Sequence, residues 1–437
     1  MIDKPVPRRT RPASLRAELD LCLGSSGLAV GKLIYVKDGA REFTQFAYGE
    51  SWIRHPQCFD ISTDLQRHAG YQVCKPRDRE DSCFFMALAD TEPDSWGRRV
   101  IARAHAKRRK QDSSLAALNE LDYLCAVDDF SRIGALRLRH PQHGYLRSSA
   151  AGERTAPPLL ELGAVLEASH RLELSQETAE DLRYLQGKGT SLGGMRPKCT
   201  VIDHDGCLAL GKFPSVQDGR AVTRGEVLAL RLAGLAGIDA AGARIEMVNG
   251  TPVAIVRRFD RTPEQGRIPY LSGASWLLAR RDEERSYTEV VDQMRSRCLD
   301  YRADARQLWR RLVFNHLITN VDDHLQNIGF LYRGQNMWRL SPAFDVNPFP
   351  DKDRESKTWL SEDTGPVMSI EQLLEQADRF ELDRVEARTV LGEVVRAVQR
   401  WRKVALSPEV GLGTRELDDF AQAFEHSDLE DARRLST

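Results

Sequence analysis

Asp322 and Asn327 stand five positions apart in the run Asn320-Val321-Asp322-Asp323-His324-Leu325-Gln326-Asn327, and Asp345 follows eighteen residues after Asn327. These oxygen-bearing side chains suit phosphoryl transfer. One carboxylate can orient an attacking hydroxyl and take its proton, while a carboxamide and a second carboxylate hold Mg²⁺ on the phosphates of ATP. Such transfer is mostly positioning plus charge neutralisation, so three side chains at the right separation can suffice. Asn and Asp also gather in loops because they cap helices and form turns, and the motif alone leaves that reading open. Asp323 beside Asp322 leaves the base ambiguous locally; the interval to Asn327 favours Asp322.

Two elements must hold this set. The run Gln307 to Thr319 has apolar residues at Leu308, Leu312, Val313 and Leu317, the spacing of a helix packed on a core, and it predicts that Asp322 follows on a loop. Ile328 to Tyr332 and Asn336 to Leu340 read as a hairpin turned at Gly334. A two-stranded ribbon of that length returns Asp345 beside Asn327. His316 and His324 flank the loop, where a histidine more often bonds the backbone than moves protons.

A phosphate-binding side is legible upstream. Gly187-Lys188-Gly189-Thr190-Ser191-Leu192-Gly193-Gly194 precedes a strand, Cys199 to Ile202. Glycines such as Gly193 and Gly194 let backbone N–H groups approach phosphates. The loop fits neither common phosphate-loop pattern, and by itself it reads equally as a turn. Lys212 is the single cation of the strand Leu208 to Phe213, placed to contact α- and β-phosphates; a snorkelling edge lysine is the alternative. Glu226, early in a helix expected over Val222 to Ala236, is its candidate ion-pair partner. The strand Thr251 to Phe259 leads into Asp260. In a kinase layout, backbone near Arg257 and Phe259 would read adenine and Asp260 would bond the ribose.

The remaining chain bounds the answer. Its 437 residues, 41% apolar and 29% charged, make an ordinary globular mixture. A net charge of −1 gives no argument for nucleic acid or membrane. Eight cysteines without ligand-like spacing, and no apolar run of membrane length, point to a reduced, cytoplasmic protein. Residues 1–27 read as a mobile tail. Alternation over Gly31 to Gln45 and over Phe46 to Ile53, with a turn at Asp38-Gly39, reads as strands. Asp94 to Arg109 and Asn119 to Val127 read as helices, and Arg132 to Leu138 as a strand. Residues 140–158 are rich in Gly, Pro and Ser and read as a linker. Helical stretches follow over Leu159 to Ala168 and Gln176 to Leu185. The basic run Arg98 to Lys110 is read as a solvated helix face, with phosphate contact as its alternative. Past Pro269 the pattern is mainly helical, except for a polar segment from Val346 to Gly365.

Several of these runs, in this order, carry a resemblance. SLGGMRPK at Ser191 to Lys198, KFP at Lys212 to Pro214, RRFDR at Arg257 to Arg261, NVDDHLQN at Asn320 to Asn327 and LSPAFDV at Leu340 to Val346 are together similar to the HipA-like serine/threonine kinases. These are toxins of bacterial type II toxin–antitoxin systems. FAYGESWI, FFMALADTEPDSWGRRVI and LDYLCAVDDFSRIGALRLR resemble that family's amino-terminal subdomain.

The resemblance implies an α+β, two-lobed kinase-like fold: a mixed-sheet amino-terminal lobe with an extra amino-terminal subdomain, then a mainly helical lobe. The expected divisions are 1–27 tail, 28–140 subdomain, 141–258 nucleotide-binding lobe and 259–437 helical catalytic lobe. It implies Asp322 as base, Asn327 and Asp345 as Mg²⁺ ligands, and Lys212 as the ATP-phosphate lysine. Ser191 falls where relatives self-phosphorylate as an off-switch, and adding phosphate there would repel a phosphate-cradling loop. The implied substrate is a protein, a translation component such as an aminoacyl-tRNA synthetase. The implied partner is a helix-turn-helix antitoxin that supplies most DNA contact. Arg257 departs from relatives that carry Glu at the hinge. A small-molecule kinase and a non-catalytic scaffold or co-repressor remain the alternative readings.

Overall fold

The computed structural model describes residues 14–78, 81–147, 156–187, 194–280 and 283–436. An antiparallel sheet of order β4-β3-β2-β1-β5-β6 opens the chain. Its strands are β1 Leu15–Leu23, β2 Leu28–Asp38, β3 Arg41–Tyr48, β4 Gln72–Cys74, β5 Leu136–His140 and β6 Gly144–Tyr145. The tail expected up to residue 27 is therefore corrected for its second half. Ala17, Leu19 and Leu21 alternate with Arg16, Glu18 and Asp20, the period of a half-buried strand. Leu19 and Leu21 are buried, and β1 lies between β2 and β5. The second expected strand stops at Tyr48, and Glu50–Ile53 turns into a short helix. Part of the expected linker, Gly144–Tyr145, pairs with β5.

A second antiparallel sheet, β7-β8-β10-β9, comprises β7 Lys198–Ile202, β8 Leu208–Lys212, β9 Ala243–Val248 and β10 Thr251–Arg257. Helices Leu162–Glu173, Ala179–Gly187 and Ser95–Gln111 cover one face, where Trp96, Val100, Leu166, Leu172, Val201 and Ile255 share a core. The helix Ser95–Gln111 thus lies against the nucleotide-lobe sheet, although its sequence falls in the expected amino-terminal subdomain. Its basic residues are partly neutralised: Arg98 pairs with Glu92 at 3.0 Å and Glu120 at 2.7 Å, and Arg103 lies 3.7 Å from Glu177. The other face takes helix Val222–Leu235, whose Val227, Leu228 and Leu232 are fully buried.

Helices Tyr287–Arg297, Tyr301–Leu317, Arg384–Val398 and Thr414–Phe424 build the carboxy-terminal lobe, giving the α+β, two-lobed architecture. The expected ribbon has three strands rather than two: β12 Gly329–Gly334 pairs with both β13 Met337–Leu340 and β11 Tyr270–Ser272. The segment read as polar loop contains a small pair, β14 Trp359–Ser361 and β15 Gly365–Pro366. Among the described residues, no helix is long and apolar enough to cross a membrane.

Candidate active site

The helix Tyr301–Leu317 is capped at its start by Asp300 and buries Leu308, Trp309, Leu312 and Val313 against the lobe's core. It ends where Thr319 takes φ +53, a left-handed conformation that breaks the helix. Asn320 then fastens the turn. Its N–H donates to the Asn315 carbonyl at 2.8 Å, and its Oδ1 accepts from the Asn347 N–H at 3.3 Å. One asparagine thereby ties the loop that carries Asp322 to the segment that carries Asp345.

Asp322 and Asp323 point to different environments. Asp322 keeps a side chain 39% exposed, with Lys357 Nζ on its Oδ1 and His324 Nε2 at 3.8 Å. Asn327, in a short 3₁₀ turn, donates from Nδ2 to the Asp322 carbonyl at 2.8 Å, which fixes their separation. Asp323 is buried and accepts from Tyr287 Oη at 2.7 Å and from the Lys357 N–H at 2.7 Å. Burial pushes its carboxyl up to about 6. Of the two adjacent carboxylates, only Asp322 is open to an acceptor.

Across the cleft, Lys212 Nζ bridges Glu226 Oε1 at 2.5 Å and Asp345 Oδ1 at 2.8 Å. Burial disfavours the ammonium, but the Asp345 and Glu226 carboxylates outweigh it and push Lys212 up. Asp345 likewise loses solvation, yet the Lys212 and Lys198 ammoniums hold it down at about 2. Asp345 has φ +54, a region that aspartate tolerates better than most residues. The Ala241 N–H donates to the Ala343 carbonyl at 2.8 Å, so the sheet lobe also holds this segment. Glu226 can sit deep because Gly225 lets its helix approach closely: a Cβ there would meet Phe420 ring carbons at 2.8 and 2.9 Å.

Lys198 is paired with Lys212 across β7 and β8 and reaches Asp94 Oδ2 at 3.4 Å. Asp94 also caps helix Ser95–Gln111, so the amino-terminal region touches the phosphate side of the cleft. Gly194 has φ +99, and a side chain there would strike Lys198 Nζ at 2.5 Å. Ser191 and Gly193 lie outside the described residues.

One expected nucleotide contact is corrected, and another has its side chain engaged elsewhere. Arg257 remains in the sheet: its N–H donates to the Gly242 carbonyl at 2.8 Å, and its exposed guanidinium pairs with Asp205 at 2.7 Å. Asp260 is buried away from the cleft. Its Oδ2 takes Arg258 Nη2 at 2.6 Å, Arg261 Nη1 at 2.7 Å and the Gly134 N–H at 2.7 Å. Burial disfavours this carboxylate, but the two guanidiniums hold it well below the usual range. It joins the amino-terminal subdomain to the hinge, with both carboxylate oxygens engaged by arginine. Phe259 does face the Asp345 segment, with its ring 5.3 Å from that of Phe344.

A buried Lys–Glu pair that also meets a carboxylate, opposite an Asp–Asn loop, is a recurrent geometry for nucleotide phosphates. Residues 190–402 match the model of the HipA-like C-terminal domain. This segment is a HipA-like C-terminal domain. The whole chain is 24% identical over 323 residues to "Putative kinase Y4mE" of Sinorhizobium fredii (strain NBRC 101917 / NGR234), covering 69% of this chain and 71% of that one. It is 28% identical over 212 residues to "Putative kinase Y4dM" of the same organism, covering 44% of this chain and 50% of the relative. In fold it is similar to HipA of Shewanella oneidensis MR-1, solved with HipB and operator DNA. The TM-score is 0.61, with 16% identity and 96% of each chain covered. At that identity the likeness establishes the fold alone.

The sequence did not single out Tyr287, the anchoring use of Asn320, or Lys357. Lys357 sits in the segment from Val346 to Gly365, which reads in the sequence only as polar.

Proposed function

We propose that the HipA-like chain is an ATP- and Mg²⁺-dependent protein serine/threonine kinase acting as a toxin of a toxin–antitoxin pair. The Lys212 bridge between Glu226 and Asp345, with Asp345 and Asn327 lining one cavity, carries this reading. Asp345 and Asn327 supply hard oxygen donors, the set Mg²⁺ prefers when phosphates complete its shell. When bound, ATP would supply the phosphoryl group, and Mg²⁺ on its phosphates would offset their negative charge. Lys212 would move from Asp345 toward phosphate oxygens while Glu226 keeps it in place. Asp322 would orient an acceptor hydroxyl and take its proton.

The finer parts rest on the resemblance. They are a translation component as substrate, Ser191 as the self-phosphorylated off-switch, a helix-turn-helix antitoxin carrying most DNA contact, and a cytoplasmic setting. Support for a protein partner comes from the related fold solved with HipB and operator DNA.

Intact mass and peptide mapping after incubation with Mg²⁺-ATP test the reading. An unphosphorylated parent should gain phosphate on a serine or threonine, and Asp322→Asn should gain none. Phosphate appearing equally in both would remove Asp322 as base. Phosphate appearing only on added small metabolites would move the assignment to a small-molecule kinase.

A further inference from the structure

Lys357 has no part in the set of residues assigned above, yet its side chain meets the carboxylate proposed as base. Lys357 Nζ contacts Asp322 Oδ1, although the two residues are 35 positions apart. The remaining groups around Asp322 are His324 Nε2 at 3.8 Å and the Asn327 amide on its carbonyl. Lys357 therefore supplies the only ammonium on this carboxylate among the described residues.

A surface ion pair of this kind would ordinarily count for little, because a long lysine stem samples many rotamers. Here the main chain under Lys357 is held. Its N–H donates to Asp323 Oδ1 at 2.7 Å, and Thr358 Oγ1 donates to the Asp323 carbonyl at 2.8 Å. The chain is held again two residues on, where the Trp359 N–H donates to the Arg285 carbonyl at 2.9 Å. Asp323 is itself clamped by Tyr287 Oη. The adjacent carboxylates thus divide the work: Asp323 fixes the backbone that carries Lys357, and Lys357 returns to Asp322.

We propose that Lys357 is a positioning residue for Asp322. Its ammonium holds one carboxylate oxygen, which leaves the other aimed into the cleft for the acceptor hydroxyl. The inference rests on the kinase reading. It deepens that reading by adding a cation beside the base. Because the backbone anchor uses the Lys357 N–H, substitution of the side chain leaves the anchor intact.

Two measurements test it on the full chain. The first is amine acetylation followed by peptide mapping, which requires no turnover. Lys357 should acetylate more slowly than the exposed Lys352, and Asp322→Asn should bring it to the Lys352 rate. Equal rates at Lys357 in parent and Asp322→Asn would overturn the pairing.

The second is ADP release from Mg²⁺-ATP. Lys357→Met should lose roughly a hundredfold in kcat, the scale of a misplaced catalytic group, with KM for ATP and the unfolding midpoint unchanged. Lys357→Arg should recover most of that loss. A merely structural role would instead lower the unfolding midpoint and spare kcat. If Lys357→Met turns over like the parent while Asp322→Asn is dead, the positioning role fails and the kinase reading stands. If the parent itself releases no ADP, both fail.

Discussion

Tyr287 donates its hydroxyl to Asp323 Oδ2 at 2.7 Å and to the Asp323 carbonyl at 3.1 Å, joining the start of one helix to the loop that follows the next. Both residues are buried, and the bond is what separates the roles of two neighbouring aspartates. It also has a consequence for stability.

With Asp323 held up to about 6, the folded chain keeps a proton that the unfolded chain releases near pH 4. Its contribution to stability is therefore largest below pH 4 and falls as pH rises to 6, by about 3 kcal/mol in all. Asp323→Asn removes that slope while still accepting from the Lys357 N–H. Its unfolding midpoint should gain on the parent's between pH 4 and 6. Asp90 and Glu92, raised to about 6 and about 7 by burial, titrate nearby but cancel between the two proteins. A constant difference across the window would contradict this account.

Lys212→Met leaves the buried Glu226 and the half-buried Asp345 without their shared cation. Removing one partner from such a cluster costs about 3–5 kcal/mol. Asp345, held near 2 in the parent, contributes its stability above the unfolded value and loses it as pH falls toward 2. The gap between parent and variant should accordingly be widest near pH 7 and close below pH 3. Binding of Mg²⁺-ATP, read by calorimetry, should weaken as well.

Asp260→Asn separates the corrected role from the expected one. A carboxylate shared by Arg258 and Arg261 and bonded to Gly134 is a structural tie, so its loss should lower stability by about 3–5 kcal/mol. At temperatures where the variant is folded, ATP affinity should match the parent's. A loss of ATP affinity without a loss of stability would restore the ribose contact.

Asp322→Asn changes a partly exposed side chain, so its unfolding free energy should stay within about 0.5 kcal/mol of the parent's. Loss of a positioned base should slow transfer by roughly 10²–10⁴-fold. Rapid-quench measurement of phosphoryl transfer reads this directly, and a smaller change would point to another base.

Gly225→Ala places a methyl against the Phe420 ring and should cost about 1–3 kcal/mol by overpacking. Trimming the ring with Phe420→Leu should recover part of that loss in the double variant. Additive losses would show that the helix Val222–Leu235 is limited by something other than this contact.

The core elements around the site were legible because each has a local cause. The helix before Asp322 shows its period in Leu308, Leu312 and Val313, and helix Val222–Leu235 shows its own in Val227, Leu228 and Leu232. The first strand was equally periodic, but the basic residues before it drew the whole stretch into a tail. The two-stranded ribbon was under-read because its third strand, Tyr270–Ser272, ends 57 positions before β12 begins at Gly329. Asp260 was misplaced for a related reason: its type suits nucleotide binding, but Arg258, Gly134 and Arg261 claim it first.

The sequence by itself determined the chemical types at the site and their spacing along the chain: a carboxylate, a carboxamide five residues on, a later carboxylate, and one lysine in an apolar strand. Those follow from the side chains and from helix and strand periods. Only the tertiary structure decided which of two adjacent aspartates is open, which carboxylate Lys212 holds besides Glu226, and that Lys357 reaches Asp322. Each of these depends on burial and on contacts between residues tens to more than a hundred positions apart, and local periodicity carries no information about such contacts.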